Sequence, residues 1–339
     1  MQLVGANTSM KRLIRRLPTT DLYFAHVLPH VERISGQALP PVRQIARHCY
    51  KIGDVAVMSR YANRLELAFV KSLKPRRLVY LIDDDLQAGI SDTSLSQSFR
   101  ARLKRLQVGA WPHIVSAATD IIVPNERLAE SYYGRAQVHL MHPVWHLPPA
   151  SGAHFPPVLT GEIPFRIAFL GTHSHLADLE HIADVLRSTL QAHPNVRLHM
   201  RLGDTYPKAL QSLDNVISET SVGWRSYKAW IGEQRFHLAL YPLRRTDFNA
   251  ARSTNKLIEH SVVGAASLFS PAEPIAALVG PELREVFVKD QPEDWFARLE
   301  TLIHNPLLAQ TLSQRTAIKL NGLDLPGKAA AIWREILNI

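Results

Sequence analysis

Short apolar runs recur through this chain, each separated from the next by a stretch patterned for a helix. In the first half the strand-like runs fall at 22–27, 54–58, 78–82, 120–124 and 138–141. Helical spacing is read at 41–50, 61–73, 95–108 and 126–133. The second half repeats the pattern: strands at 165–170, 196–200, 216–218, 237–241 and 266–270, with helices at 176–190, 227–233 and 253–263. Apolar strands alternating with helices predict parallel sheets covered on both faces. Between the two series, residues 143–164 carry six prolines and two glycines and lose all periodicity. That interruption predicts an interdomain linker. The expected fold is therefore α/β, with two Rossmann-like domains: 1–142, a linker at 143–164, a second domain at 165–305, and closing helices at 306–339 that can cross back to the first domain. Ligands of such sheets bind beyond the carboxyl ends of the strands.

The totals narrow the function classes. Hydrophobic residues make up 46% of the chain and charged residues 20%, which describes a folded globular protein. No apolar run approaches the ~20 residues needed to cross a bilayer. No apolar segment of signal-peptide type follows Met1, so a cytoplasmic location is expected. Cys49 is the single cysteine and can form no internal disulfide. A net charge of +9 points to an acidic partner: a phosphorylated substrate, an anionic lipid surface or nucleic acid. The basic residues are dispersed and no zinc-finger spacing is present, so nucleic acid is not expected. Residues 10–17 alternate Met10, Leu13, Ile14 and Leu17 with Lys11, Arg12, Arg15 and Arg16. This basic amphipathic helix is either a peripheral contact with the inner face of the plasma membrane or an ordinary packed helix with a solvated face.

The chemistry concentrates in residues 242–260. They follow the apolar strand at 237–241 and lead into a helix where Ser253, Lys256 and Glu259 share one stripe. A helix start carrying a lysine suits phosphate, and a carboxylate can accept from ribose or sugar hydroxyls. Asp83-Asp84-Asp85 follows the 78–82 strand. Carboxylates there suit magnesium or manganese, against the plainer reading that one aspartate caps the next turn. His173 and His175 are spaced as a zinc-binding pair, but no third ligand stands near them. Trp224 and Tyr227 could bound a nucleotide base, with core packing the stronger reading.

The set Gly171-Thr172-x-Ser174-His175-x-x-Asp178, then Pro242-Leu243, Phe248-Asn249, Arg252-Ser253, Lys256-x-x-Glu259 and Gly264, resembles the donor half of GT-B glycosyltransferases. It is most similar to the family 4-like retaining enzymes of bacterial surface-polysaccharide synthesis, over residues 165–272. The resemblance implies transfer of a sugar from a nucleotide sugar to a glycan or lipid-linked acceptor, with no cofactor and no metal required. It implies that Gly171, Thr172, His173, His175, Asn249, Ser253, Lys256 and Glu259 bind the donor. Lys256 would neutralise the diphosphate, with Glu259 on the ribose. Lys256 and Arg252 would stabilise the leaving group, while His142 and Asp83 are candidates for the acceptor side. The earlier acid of the family's longer Glu-x7-Glu pattern is absent, and Ala251 stands in its place. The competing readings are a nucleotide-sugar epimerase or hydrolase on the same scaffold, and a catalytically inactive nucleotide-sugar-binding subunit. A surface ion pair is the plain alternative for Lys256 and Glu259.

Overall fold

The computed structural model describes residues 17–155 and 163–339. They form two compact units. One joins the residues up to Asp83 to Lys104–Val144 and Pro326–Ile339, and the other joins Asp84–Leu103 to Trp145–Leu325.

The first unit holds a six-stranded sheet, β1 (Arg43–Ala46), β2 (Cys49–Ile52), β3 (Val55–Ser59), β4 (Arg77–Leu81), β5 (Asp120–Val123) and β6 (Gln137–Leu140), in that spatial order. The pairs β1/β2 and β2/β3 are antiparallel, and β3 to β6 run parallel. Every residue of β3 and β5 is buried, as expected where both sheet faces are covered. The Arg64–Ser72 helix between β3 and β4 begins with a reciprocal cap. Asn63 accepts from the Glu66 N–H, and the Glu66 carboxylate accepts from the Asn63 N–H. The Leu325–Leu337 helix closes this unit. Its Trp333 is fully buried, donates its indole N–H to the Tyr23 carbonyl at 2.8 Å, and packs 4.8 Å from the Phe24 ring.

The second unit holds β7 (Phe165–Phe169), β8 (Val196–Met200), β9 (Val216–Ser218), β10 (Leu238–Tyr241) and β11 (Ala266–Phe269). All are parallel, in the order β11-β10-β7-β8-β9. The chain starts at the central strand, builds outward through β8 and β9, then returns to the other side of β7 with β10. The order reverses between β7 and β10, so the loops leaving those two strands diverge and open a crevice at their carboxyl ends. In the first unit the parallel strands run β3 to β6 without reversal, so the same topological argument selects no such point there.

The α/β class, the five-stranded parallel sheet and the parallel part of the first sheet from β3 to β6 match the expectation from the alternation; the antiparallel edge of β1 and β2 does not, and two local readings are corrected. The run at 22–27 is helical, with a π-turn at Asp21–Ala25 followed by a helix at Leu28–Ser35. Leu22, Tyr23 and Phe24 are all buried, and a short run buried on every side carries no period to separate helix from strand. The stretch at 41–50 holds β1 and the first half of β2 rather than a helix. Pro40 and Pro41 precede β1, and Gly53 at φ 57° makes the turn after β2, so that β2 pairs with β3 from Cys49 to Ile52. The basic segment at 10–17 lies outside the described residues apart from Leu17. Among the described residues, no helix is long and apolar enough to cross a membrane.

Candidate functional site

Two chain segments meet at the switch point of the second unit. From β7 come Leu170, Gly171, Thr172, a 3-10 turn at His173–His175 and the Leu176–His181 helix. From β10 come Pro242 onward, a short helical turn at Asp247–Ala250 and the Asn255–Val262 helix. Thr246 caps the turn by accepting from the Asn249 N–H at 3.1 Å.

Asp178 fastens one segment to the other. Its Oδ2 accepts from His175 Nδ1 at 2.9 Å, and its Oδ1 accepts from Asn249 Nδ2 at 2.8 Å and from the Arg244 N–H at 3.0 Å. Asn249 Nδ2 also donates to the Arg244 carbonyl at 3.0 Å. Burial, and after it the nearby Arg252 charge, lower His175 from its ordinary value to about 4. The imidazole is therefore neutral near pH 7, with its proton on Nδ1 facing Asp178. Gly171 is required by packing: a Cβ there would come within 2.4 Å of Phe169 Cζ and 3.2 Å of His175 Cβ.

Lys256 makes the second tie. Its ammonium donates to the Leu170 carbonyl at the end of β7 and to Glu259 Oε2. Glu259 is only 1% exposed, and its other oxygen accepts from the Tyr227 hydroxyl. Tyr227 lies on the Trp224–Glu233 helix, and burial followed by the Glu259 charge pushes its hydroxyl well above the usual tyrosine range. The phenol stays protonated and stays a donor. The arrangement is a buried relay rather than a surface i,i+3 pair. Arg252 places Nη1 3.4 Å from Asp84 Oδ1 and its guanidinium carbon 4.2 Å from the Phe248 ring centroid.

The remaining candidates sort by unit. Thr172 is exposed, with Oγ1 3.0 Å from Ser174 Oγ, and His173 donates Nε2–H to the Leu202 carbonyl at 3.1 Å. The two imidazoles of the His173-x-His175 pair thus have separate partners. Ser253 precedes the Asn255–Val262 helix and receives a long contact of 3.4 Å from the Asn255 N–H. His142 and Asp83 belong to the first unit. Asp83 accepts from Thr19 Oγ1 at 2.9 Å and from Arg60 Nη1 at 3.1 Å. Asp85 caps the Leu86–Ser91 helix through the Ala88 N–H at 2.9 Å. The three consecutive aspartates are thus drawn to three different partners. His142 is lowered from its ordinary value by burial and then by Lys328.

Sequence reasoning placed Asp178 in the motif set without a role, read Asp84 only as part of the 83–85 carboxylate run, and left out the carboxylate-binding role of Tyr227. Asp178 had a signal, since His175 and Asp178 stand three apart at a helix start, a spacing that brings side chains together. Tyr227 had none, because its partner lies 32 positions away. Trp224 lies 5.5 Å from the Trp145 ring and 6.0 Å from Tyr227.

No protein-family model matches the sequence, and comparison with curated proteins finds no match. Solved structures do match. TarM aligns with a TM-score of 0.58 at 11% identity, over 84% of this chain and 55% of TarM. Anabaena Alr3699/HepE in complex with UDP and glucose aligns at 0.54 and 14% identity, over 84% of this chain and 78% of HepE. The fold is that of the GT-B glycosyltransferases. This chain spans about half the length of TarM. A variant of S. aureus TarM, determined with fondaparinux, alpha-GlcNAc-glycerol and UDP, aligns at 0.58 and 10% identity. Within the GT-B fold of this chain, the residues singled out for donor binding all lie in the second unit, on the segments that leave β7 and β10.

Proposed function

We propose that the chain is a glycosyltransferase. It takes a sugar from a nucleoside-diphosphate sugar and places it on a hydroxyl of a glycan or lipid-linked acceptor, with retention and without a metal. The observation that carries this reading is the Lys256 ammonium, fixed between the carboxyl end of β7 and Glu259 at the switch point. An ammonium has three N–H donors. The Leu170 carbonyl and Glu259 take two, and the third is assigned to a diphosphate oxygen. The HepE structure, which shares the fold, was determined with UDP and glucose, and that supports a uridine nucleotide as the first ligand to try.

In the proposed reaction the bond between the anomeric carbon and the diphosphate oxygen breaks, and the electron pair stays on the oxygen. Lys256 and Arg252 offset the charge that builds there, in a setting where fixed cations act more strongly than in water. The acceptor oxygen bonds to the anomeric carbon and gives up its proton. With retention the acceptor arrives on the face the diphosphate leaves, so its proton passes to the departing diphosphate oxygen, while His142 stays a residue of the first unit whose imidazole burial lowers from its ordinary value. Asp83 receives a structural role, since Arg60 and Thr19 already hold it.

Calorimetry with UDP, GDP, ADP and TDP tests the donor site. One of them is expected to bind the wild type and to bind Lys256→Ala at least about tenfold more weakly, a loss of about 1.4 kcal/mol. Failure of all four to bind, or equal affinity in the variant, overturns the assignment. Turnover is expected to survive EDTA, and strict dependence on added manganese would overturn the metal-free part.

A further inference from the structure

Away from the donor site, two imidazoles converge on one carboxylate. His193 follows the Ala183–Ala192 helix, and Glu300 and His304 stand four apart near the end of the Pro292–His304 helix. His193 Nε2 lies 2.8 Å from Glu300 Oε1 and 3.0 Å from Oε2, so the nitrogen sits astride the carboxylate. His304 Nδ1 is 3.7 Å from Glu300 Oε2, and the two imidazole rings meet edge to face at 5.1 Å. One ligand atom from each residue lies within 4.8 Å of the other two. His193 and Glu300 are half-buried and His304 is exposed, so the group is open to solvent on one side.

We propose that His193, Glu300 and His304 bind a zinc ion. Two imidazole nitrogens and a carboxylate oxygen are the donor set that zinc takes with three protein ligands, the fourth position being filled by water. The four-residue spacing puts Glu300 and His304 on one face of their helix. His304 Nδ1 lies 2.9 Å from the Glu300 carbonyl. That contact positions the ring beside the carboxylate, and because the ring is exposed it can turn to present a nitrogen lone pair to the ion. A metal entering the group replaces the His193–Glu300 hydrogen bond and releases that proton.

The position defines what the ion would do. His193 stands just before β8, at the amino end of the parallel sheet, whereas the donor segments leave the carboxyl ends of β7 and β10. The zinc site is therefore a clasp between two packed helices of the second unit, remote from the proposed chemistry. It stabilises the fold by binding the native state alone.

The test uses the full chain stripped of metal and titrated with zinc chloride, with cobalt chloride as the spectroscopic probe. The wild type is expected to take up one equivalent at micromolar zinc, to show the absorption of tetrahedral cobalt, and to melt several degrees higher with zinc. His304→Ala and Glu300→Gln should each weaken uptake at least about tenfold and abolish the thermal shift. His304 is exposed, so its variant keeps the fold, and His173→Ala serves as the control that leaves zinc uptake unchanged. Uptake only at millimolar zinc, unchanged uptake in His304→Ala and Glu300→Gln, or loss of uptake in His173→Ala overturns the proposal.

Discussion

The Tyr227 hydroxyl donates to Glu259, the same buried carboxylate that takes the Lys256 ammonium. Both oxygens of Glu259 are thus occupied by protein donors. A ribose hydroxyl that reached Glu259 would have to share or replace the Tyr227 bond. In Tyr227→Phe the carboxylate loses a partner, which costs about 1–3 kcal/mol. If a ribose hydroxyl then supplies the missing donor, UDP should raise the melting temperature of Tyr227→Phe by more than it raises that of the wild type. An equal or smaller shift would place the ribose elsewhere.

Lys256 and Glu259 can be separated as structural and as binding groups by a double-mutant cycle. Removing either alone leaves a buried charge without its partner, and Lys256→Met or Glu259→Leu is expected to cost about 3–5 kcal/mol. The double variant should recover most of that stability in urea denaturation but none of the nucleotide affinity. Recovery of both would reduce the pair to a packing element.

Asp178 accepts three hydrogen bonds that join the β7 segment to the β10 segment. Asp178→Ala strands the buried His175 Nδ1–H and takes one acceptor each from Asn249 Nδ2 and the Arg244 N–H. The urea midpoint should fall by the equivalent of about 2–4 kcal/mol. A loss within experimental error would mean that solvent reaches these donors.

Acid should unfold the protein partly through its histidines. Burial lowers His175, His199 and His237 each to about 4, while an unfolded histidine titrates near about 6.5. Between those values the unfolded chain binds protons that the folded chain refuses, so stability falls as pH falls. The contribution is whole above about 6.5, is lost progressively down to about 4, and changes no further below that. Each unit of depression corresponds to about 1.4 kcal/mol. Denaturation curves across this window should show the slope, and His199→Gln should reduce it. A slope unchanged in that variant would assign the acid sensitivity to other groups.

Gly171→Ala should destabilise by about 1–3 kcal/mol, because the added methyl meets the Phe169 ring. Phe169→Leu in the same chain should relieve part of the cost. If Gly171→Ala melts like the wild type, the turn is loose enough to move aside.

The alternation of apolar runs and helices was sufficient to read nine of the strands, β3 to β11, counted by position, because each lies within a run bounded by turn residues. It failed at 22–27 and 41–50, where burial on all sides erased the period in one case and a short hairpin imitated a helical face in the other. Of the candidate site, residue type and spacing singled out Gly171, Lys256 and Glu259, and the fold brings all three onto the segments that leave β7 and β10. Tyr227 and Asp84 were illegible, because their partners lie far along the chain and only the folded sheet brings them close.

Trp333 sets a condition on how the chain can be made. It fills the first unit beside Tyr23 and Phe24, yet residues 145–325 stand between that unit's earlier segments and its closing helix. On the ribosome the second unit can finish while the first still waits with an open core. The earlier segments of the first unit are thus completed after the later ones of the second, and their open apolar core is exposed to aggregation until the helix arrives.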